Sequence, residues 1–217
     1  INEHNEDQVV QWLNKCKLEK SSAALVTDAG TPSISDPGAI AVNHARVLGI
    51  RVVPIPGVSA LTTFLSIIGA PNLPVHFVGF LPKKSAPQKP LLTYNPKQAR
   101  LLVAFESPRR VASTITMISE IIGDEPLYIG RELTKTHEQI VIATKDICTQ
   151  PLDDWLVTKG EFVLGLIQRP SLNQQLWQQA ALDMHGVASI NDCSQFIARY
   201  FNVNKNNVYQ FLLDNKS

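Results

Sequence analysis

The sequence predicts an α/β protein on three observations. Short apolar runs recur at residues 23–26, 51–55, 75–80, 100–105, 127–130, 137–144 and 162–168. Between several of them lie stretches with apolar residues at helical spacing, closed by Gly49, Gly69 and Gly123. The first two runs open into loops rich in Gly, Pro, Ser, Thr and Asp, and open α/β sheets bind ligands at the carboxyl ends of their strands. The order helix, strand, helix, strand, helix at the front implies parallel βαβ units in a doubly wound sheet.

Each element has its own justification. Residues 6–18 place Val9, Trp12, Leu13 and Cys16 on one helical face. Residues 23–26 read as a strand and 27–38 as its loop. A helix over 39–48 stops at Gly49, and a second strand over 51–55 ends at Pro56-Gly57. Ser59 reads as the N-cap of an apolar helix to Ile68, closed by Gly69. The segment 71–74 (PNLP) reads as a linker, dividing an N-terminal α/β domain (1–73) from a second one (74–170). Residues 81–96 carry four Pro and three Lys and read as a loop too long for a simple connector. A helix is expected over 109–122. From 171 to 217 the chain turns rich in Gln and Asn and reads as a small helical unit of two or three helices. Trp177, Leu182, Phe196, Ile197, Tyr200, Val208 and Phe211 are its candidate core, with a helix-turn-helix-like end.

Composition narrows the function. A net charge of +1 over 217 residues excludes a protein that grips nucleic acid through its overall charge; any such site is a local patch. The three cysteines, Cys16, Cys148 and Cys193, show neither CxxC nor metal-ligand spacing. They read as small buried thiols, which suits a reducing cytoplasm. No transmembrane run and no signal peptide is visible, and the chain starts at Ile1 within a polar stretch. The GxGxxG, P-loop and HExxH motifs are absent, so no metal is expected.

Four loops carry the candidate chemistry. The first, residues 27–38 (TDAGTPSISDPG), lets a ligand approach its Gly and Ala backbone. Asp28 is placed to accept hydrogen bonds from a ligand, whereas Asp36 reads as a helix N-cap ahead of Pro37. In the second, 54–60, Ser59 and Ala60 stand at a helix N-terminus with its unbonded N–H groups and partial positive charge. Two charged clusters, 105–110 (FESPRR) and 131–138 (RELTKTHE), follow apolar strands. Mutual salt bridging is the plain alternative for their residues.

These motifs, with VPIPGVSA (53–60), FVGFLPKKS (77–85) and GEFVLG (160–165), occur in one order. In that order the chain resembles the small-subunit ribosomal RNA methyltransferase branch of the tetrapyrrole methylase-like superfamily, from Ile1 almost to the C-terminus. The resemblance implies two α/β domains of the class III methyltransferase type plus a small C-terminal helical domain (181–217). It implies S-adenosyl-L-methionine as cofactor, a homodimer, and a cytidine ribose 2′-hydroxyl in small-subunit ribosomal RNA as acceptor. Carried over by residue, Asp28, Ala29, Gly30, Thr31, Ile34, Ser59, Ala60, Arg131, Gly160 and Glu161 would bind the cofactor. The family's first strand and its ATPIGN-like loop would precede Ile1 and are missing from the sequence. Arg109 stands where the family usually has His, and the stretch after Pro82 is less basic than usual.

Methyl transfer to a ribose hydroxyl needs alignment and a group to take the proton. Glu106 is the expected base, with Glu138 second and Lys135 as a further catalytic residue. Lys83, Lys84, Arg109 and Arg110 are expected on RNA phosphates. Two readings compete: a precorrin-type tetrapyrrole methyltransferase, and a non-catalytic nucleic-acid-binding module using the C-terminal helices.

Overall fold

The computed structural model describes residues 6–69, 73–122, 125–170, 172–185 and 187–215. Residues 71, 72 and 123, parts of the expected linker and helix stop, lie outside the described residues. Two compact units emerge. The larger holds Ile1–Thr93 and Leu101–Ile167; the smaller holds Tyr94–Arg100 and Gln168–Ser217.

In the larger unit the elements run α1 (Glu6–Glu19), α2 (Ala39–Val47), α3 (Ala60–Ile68), β1 (Val75–Phe80), α4 (Ser85–Leu92), β2 (Arg100–Glu106), α5 (Val111–Ile121), β3 (Leu127–Arg131), β4 (Gln139–Ala143), α6 (Lys145–Cys148) and β5 (Phe162–Gln168). One five-stranded sheet has the order β1-β2-β5-β3-β4. It is mixed: β1 runs parallel to β2, and β3 runs antiparallel to both β4 and β5. The pleat sends alternate residues to opposite faces. Leu102, Ala104, Leu127, Ile129, Leu164 and Leu166 pack with Val111, Ile115 and Ile118 of α5. Leu101, Val103 and Val163 cluster instead with Phe64 and Ile68 of α3. Phe64 is fully buried; truncating a buried Phe to Ala costs about 3–5 kcal/mol. It anchors α3 over the sheet and so fixes where the preceding 58–60 turn lies.

The front half departs from the doubly wound parallel reading. Residues 23–26 and 51–55 carry no regular secondary structure, and neither pairs in a ladder among the described residues. Val26 and Ile55 are about four-fifths exposed, at 80% and 81%. An apolar run reports a tendency to be buried, whereas a strand exists only when a neighbour takes its N–H and C=O groups. Asp36 does not cap α2: the helix begins at Ala39, with Gly38 as N-cap and no side-chain capping bond. The 81–96 stretch is not a plain loop either, since it contains α4. Pro87 falls in the first turn, where its missing N–H costs little, and buried Gln88 donates to the Pro82 carbonyl at 2.7 Å.

The smaller unit is a three-helix cluster of α7 (Leu172–His185), α8 (Ile190–Phe201) and α9 (Lys205–Asp214). Ser189 caps α8 by accepting from the Asp192 N–H, and Asn204 caps α9 by accepting from the Asn206 N–H. Asn202 turns the chain between them in the left-handed region. Trp177, Ile197 and Val208 are core as expected, joined by Ala181, Cys193 and Leu212. Leu182, Phe196 and Tyr200 are exposed instead. The small Ala181 and Cys193 sit on the inward faces of α7 and α8, and the larger neighbours fall on the outer ones.

Candidate functional site

Within the larger unit the two Gly/Pro-rich turns converge. The Thr31 hydroxyl donates to the Val58 carbonyl at 3.0 Å, tying the first loop to the turn before α3. Around this tie lies a cavity of about 800 Å³, lined by the 25–31 and 34–37 segments, Val58–Ala60, Thr63, Phe80, the 105–108 segment, Leu133–Lys135 and 161–163. Its size falls in the usual range for a small-molecule or cofactor site.

The lining is amphiphilic. Leu25, Val26, Ile34, Val58 and Leu133 supply apolar walls, while Ala29 and Gly30 bring backbone to the surface. Ser59 stands at the N-cap of α3 with extended backbone, and its side chain makes no capping bond. The hydroxyl and the first N–H groups of the helix therefore stay available to an anionic or polar ligand. Asp28 has no hydrogen-bond or ion-pair partner among the described residues. Phe80 reaches the cavity because β1 gains one residue on β2 between Phe77 and Phe80; its ring packs edge-on against Phe105 at 5.7 Å.

The RELTKTHE turn and the 160–161 turn form one wall through a charge network. Lys135 Nζ donates to Glu161 Oε2 at 2.8 Å and to Glu132 Oε1 at 3.1 Å. The Glu161 N–H donates to Glu132 Oε1 at 2.8 Å, and the Glu132 N–H donates to the Glu161 carbonyl at 2.9 Å. The Glu161 N–H and then the Lys135 ammonium hold the Glu132 carboxyl below the ordinary glutamate range. The Glu161 carboxylate pushes the Lys135 ammonium above the ordinary lysine range, opposed by burial and assisted more weakly by Glu132. In the sequence Glu132 read only as a member of the charged 131–138 cluster, and its pairing with Lys135 is the mutual salt bridging weighed there.

The structure brings Asp28, Ala29, Gly30, Thr31, Ile34, Ser59, Ala60, Glu106, Lys135 and Glu161 to the cavity. Arg131, Gly160, Glu138, Lys83, Lys84, Arg109 and Arg110 do not line it. Arg131 is buried; it donates to the Lys159 carbonyl and, at 2.7 Å, to the His137 carbonyl, so it braces the wall from behind. Glu138 accepts from the Thr134 N–H at 2.6 Å and closes its own turn.

Glu106 and Arg110 pair with each other. The Glu106 side chain is fully buried; Oε1 takes the Ser107 N–H at 2.7 Å and the Arg110 guanidinium at 2.7 Å, and Oε2 takes the Thr114 hydroxyl at 2.9 Å. Arg110 also donates to the Leu81 and Pro82 carbonyls, each at 2.9 Å, and to the Ser107 hydroxyl at 3.2 Å. Its donors are committed internally, whereas the sequence offered it for RNA phosphate. Both oxygens of Glu106, the expected base, are likewise engaged. Lys135, gripped by two carboxylates, keeps its proton and is a cation here. Lys83, Lys84 and Arg109 are exposed, with no partner among the described residues.

Comparison with known proteins places this geometry. A family model described as Tetrapyrrole (Corrin/Porphyrin) Methylases matches residues 1–146. The chain is 40% identical over 166 residues to a Xylella fastidiosa protein named ribosomal RNA small subunit methyltransferase I, a match spanning 76% of this chain and 61% of that protein. It is 35% identical over 218 residues to the Haemophilus influenzae protein of the same name, across 97% of this chain and 77% of the relative. Among solved structures, the methyltransferase CobJ superposes with a TM-score of 0.54 at 13% identity, over 76% of this chain and 77% of CobJ, a likeness of fold.

Proposed function

The chain belongs to the tetrapyrrole methylase family and has its α/β fold, and on that premise we propose that it is an S-adenosyl-L-methionine-dependent methyltransferase acting on small-subunit ribosomal RNA, at the ribose 2′-hydroxyl of a cytidine. The observation that carries the reading is the Thr31–Val58 bond, which makes one cavity from the two Gly/Pro-rich turns. The lining suits the cofactor: apolar side chains for an adenine face, an unpartnered carboxylate at Asp28 for hydroxyls or an ammonium, and the α3 N-terminus with Ser59 for a carboxylate.

When bound, the cofactor supplies an electrophilic methyl group on a sulfonium. The protein's part is alignment and proton removal. Asp28, Ala29, Gly30, Thr31, Ile34, Ser59 and Ala60 hold and orient the donor. Glu161 and Lys135 form the opposite wall, with Arg131 and Gly160 supporting it from outside the cavity. The Glu106–Arg110 pair fixes the 81–82 turn against α5. Lys83, Lys84 and Arg109 are the exposed cations left for the RNA backbone. The names of the relatives favour ribosomal RNA over a tetrapyrrole as acceptor. A homodimer in the cytoplasm, and a functional boundary near residues 73 and 74, complete the proposal.

Calorimetric titration of the full chain with S-adenosylmethionine, followed by methyl transfer to small ribosomal subunits and nucleoside mass spectrometry, tests it. The expected product is 2′-O-methylcytidine. Methylation of precorrin but not RNA would move the chain to the tetrapyrrole branch, and absence of binding would refute the enzyme reading.

A further inference from the structure

Four acidic residues line the cavity: Asp28, Asp36, Glu106 and Glu161. Two are committed. Glu106 is bonded through both oxygens to Ser107, Arg110 and Thr114, and Glu161 is paired to Lys135. Asp28 and Asp36 have no partner among the described residues. They stand near opposite ends of one loop. Asp28 lies in the turn that Thr31 ties to the α3 end of the cavity, the side assigned above to the cofactor.

Asp36 was expected to cap α2, and the backbone explains why it does not. Ser33 and Ser35 sit in the left-handed region, at φ 70 and 61, where L side chains are strained. Gly38, at φ 138, takes the cap position. That φ favours glycine whatever the space, and a Cβ there would also press on Leu25 Cδ2 at 2.7 Å and Ser33 Oγ at 2.8 Å. This path starts the helix at Ala39 and leaves the Asp36 carboxylate on the cavity wall. Asp36 is exposed and has no partner among the described residues, so its carboxylate is free to take a proton from a hydroxyl bound in the cavity.

We propose that Asp36 is the general base of the transfer, the group that receives the proton of the acceptor hydroxyl; this rests on the methyltransferase reading above. The acceptor oxygen forms its bond to the methyl carbon as the carbon–sulfur bond breaks, with that electron pair kept by sulfur. The hydroxyl proton passes to the Asp36 carboxylate and from there to water.

The test uses the full chain, with Asp36→Asn, Asp36→Ala and Asp28→Asn beside wild type. Asp36→Asn should lower kcat by about 100-fold or more, the contribution expected of a positioned base. It should leave the S-adenosylmethionine dissociation constant within about threefold of wild type. Asp28→Asn should weaken that binding. Formate should restore turnover to Asp36→Ala in a concentration-dependent way, a rescue that a purely structural role would not show. Near-normal kcat in Asp36→Asn overturns the proposal. So does a loss of cofactor affinity matching that of Asp28→Asn, or an absence of formate rescue. A wild-type chain that binds no cofactor or transfers no methyl group fails on the underlying reading, visibly before any variant is compared, and the proposal falls with it.

Discussion

Replacing Glu106 by Gln separates a holding role from a catalytic one. The substitution keeps volume and shape but removes the negative charge from a fully buried site, where three donors converge at 2.7, 2.7 and 2.9 Å. The Gln oxygen can still accept from the Ser107 N–H and Arg110 while its NH2 donates to the Thr114 hydroxyl, which rotates to accept, so what is lost is the charge opposite Arg110. Removing one member of a buried ion pair costs about 3–5 kcal/mol, because the partner charge stays behind. The Arg110 side chain keeps 23% of its exposure and two carbonyl acceptors, which places the cost at the lower end, about 3 kcal/mol. For a chain of this size, 1 kcal/mol moves Tm by about 2–4 °C, so the larger unit should melt about 6–12 °C lower. Thermal unfolding followed by circular dichroism reads this directly. The double variant Glu106→Gln, Arg110→Met should recover part of the loss, because the orphaned cation is gone, with a coupling of about 1–3 kcal/mol. Turnover measured well below both melting points should fall only modestly. An unchanged Tm together with a turnover loss of about 100-fold would refute the holding role and return Glu106 to the chemistry.

Three further outcomes follow from the wall of the cavity and its rim. Gly160 has φ 97, and a Cβ there would lie 2.5 Å from Glu132 Cγ; Gly160→Ala should therefore cost about 1–3 kcal/mol and free the Glu161 N–H from Glu132, seen as faster amide hydrogen exchange at Glu161. The Glu132 carboxyl is held low, so its stabilising contribution is complete above the ordinary glutamate range and is lost as pH falls through the depressed value. Lys135 is held high, so its contribution is complete below the ordinary lysine range and is lost as pH climbs through the raised value. Lys135→Met should move the Glu132 titration upward, and an unmoved carboxyl resonance in a pH series would contradict the network. Changing Lys83, Lys84 and Arg109 together to Gln should flatten the dependence of log affinity for single-stranded RNA on log salt by about 0.7 per lost phosphate contact; an unchanged slope would remove these three from the interface.

The sequence by itself determined the elements whose signals are local. The helix ending at Gly69 is legible because the chain there adopts the left-handed turn that Gly favours, and β5 occupies its expected range because an uninterrupted apolar run suits a strand buried on both faces. The two Gly/Pro-rich turns were legible as ligand loops for the same reason: residue types that stiffen or open the backbone act where they stand. Tertiary structure alone decided what depends on distant partners. Whether 23–26 pairs as a strand depends on a neighbour that the run does not encode. Whether Asp36 caps a helix depends on how Gly38 meets Leu25 and Ser33, and the exposure of Tyr200 depends on which face of α8 meets α7 and α9. Glu106 and Arg110 read in sequence as a charged cluster after a strand, equally suited to catalysis, phosphate or each other. Only folding, which brings the Leu81 and Pro82 carbonyls and the Thr114 hydroxyl around them, spends their hydrogen-bonding capacity internally and leaves Asp28 and Asp36 as the unpartnered carboxylates of the cavity.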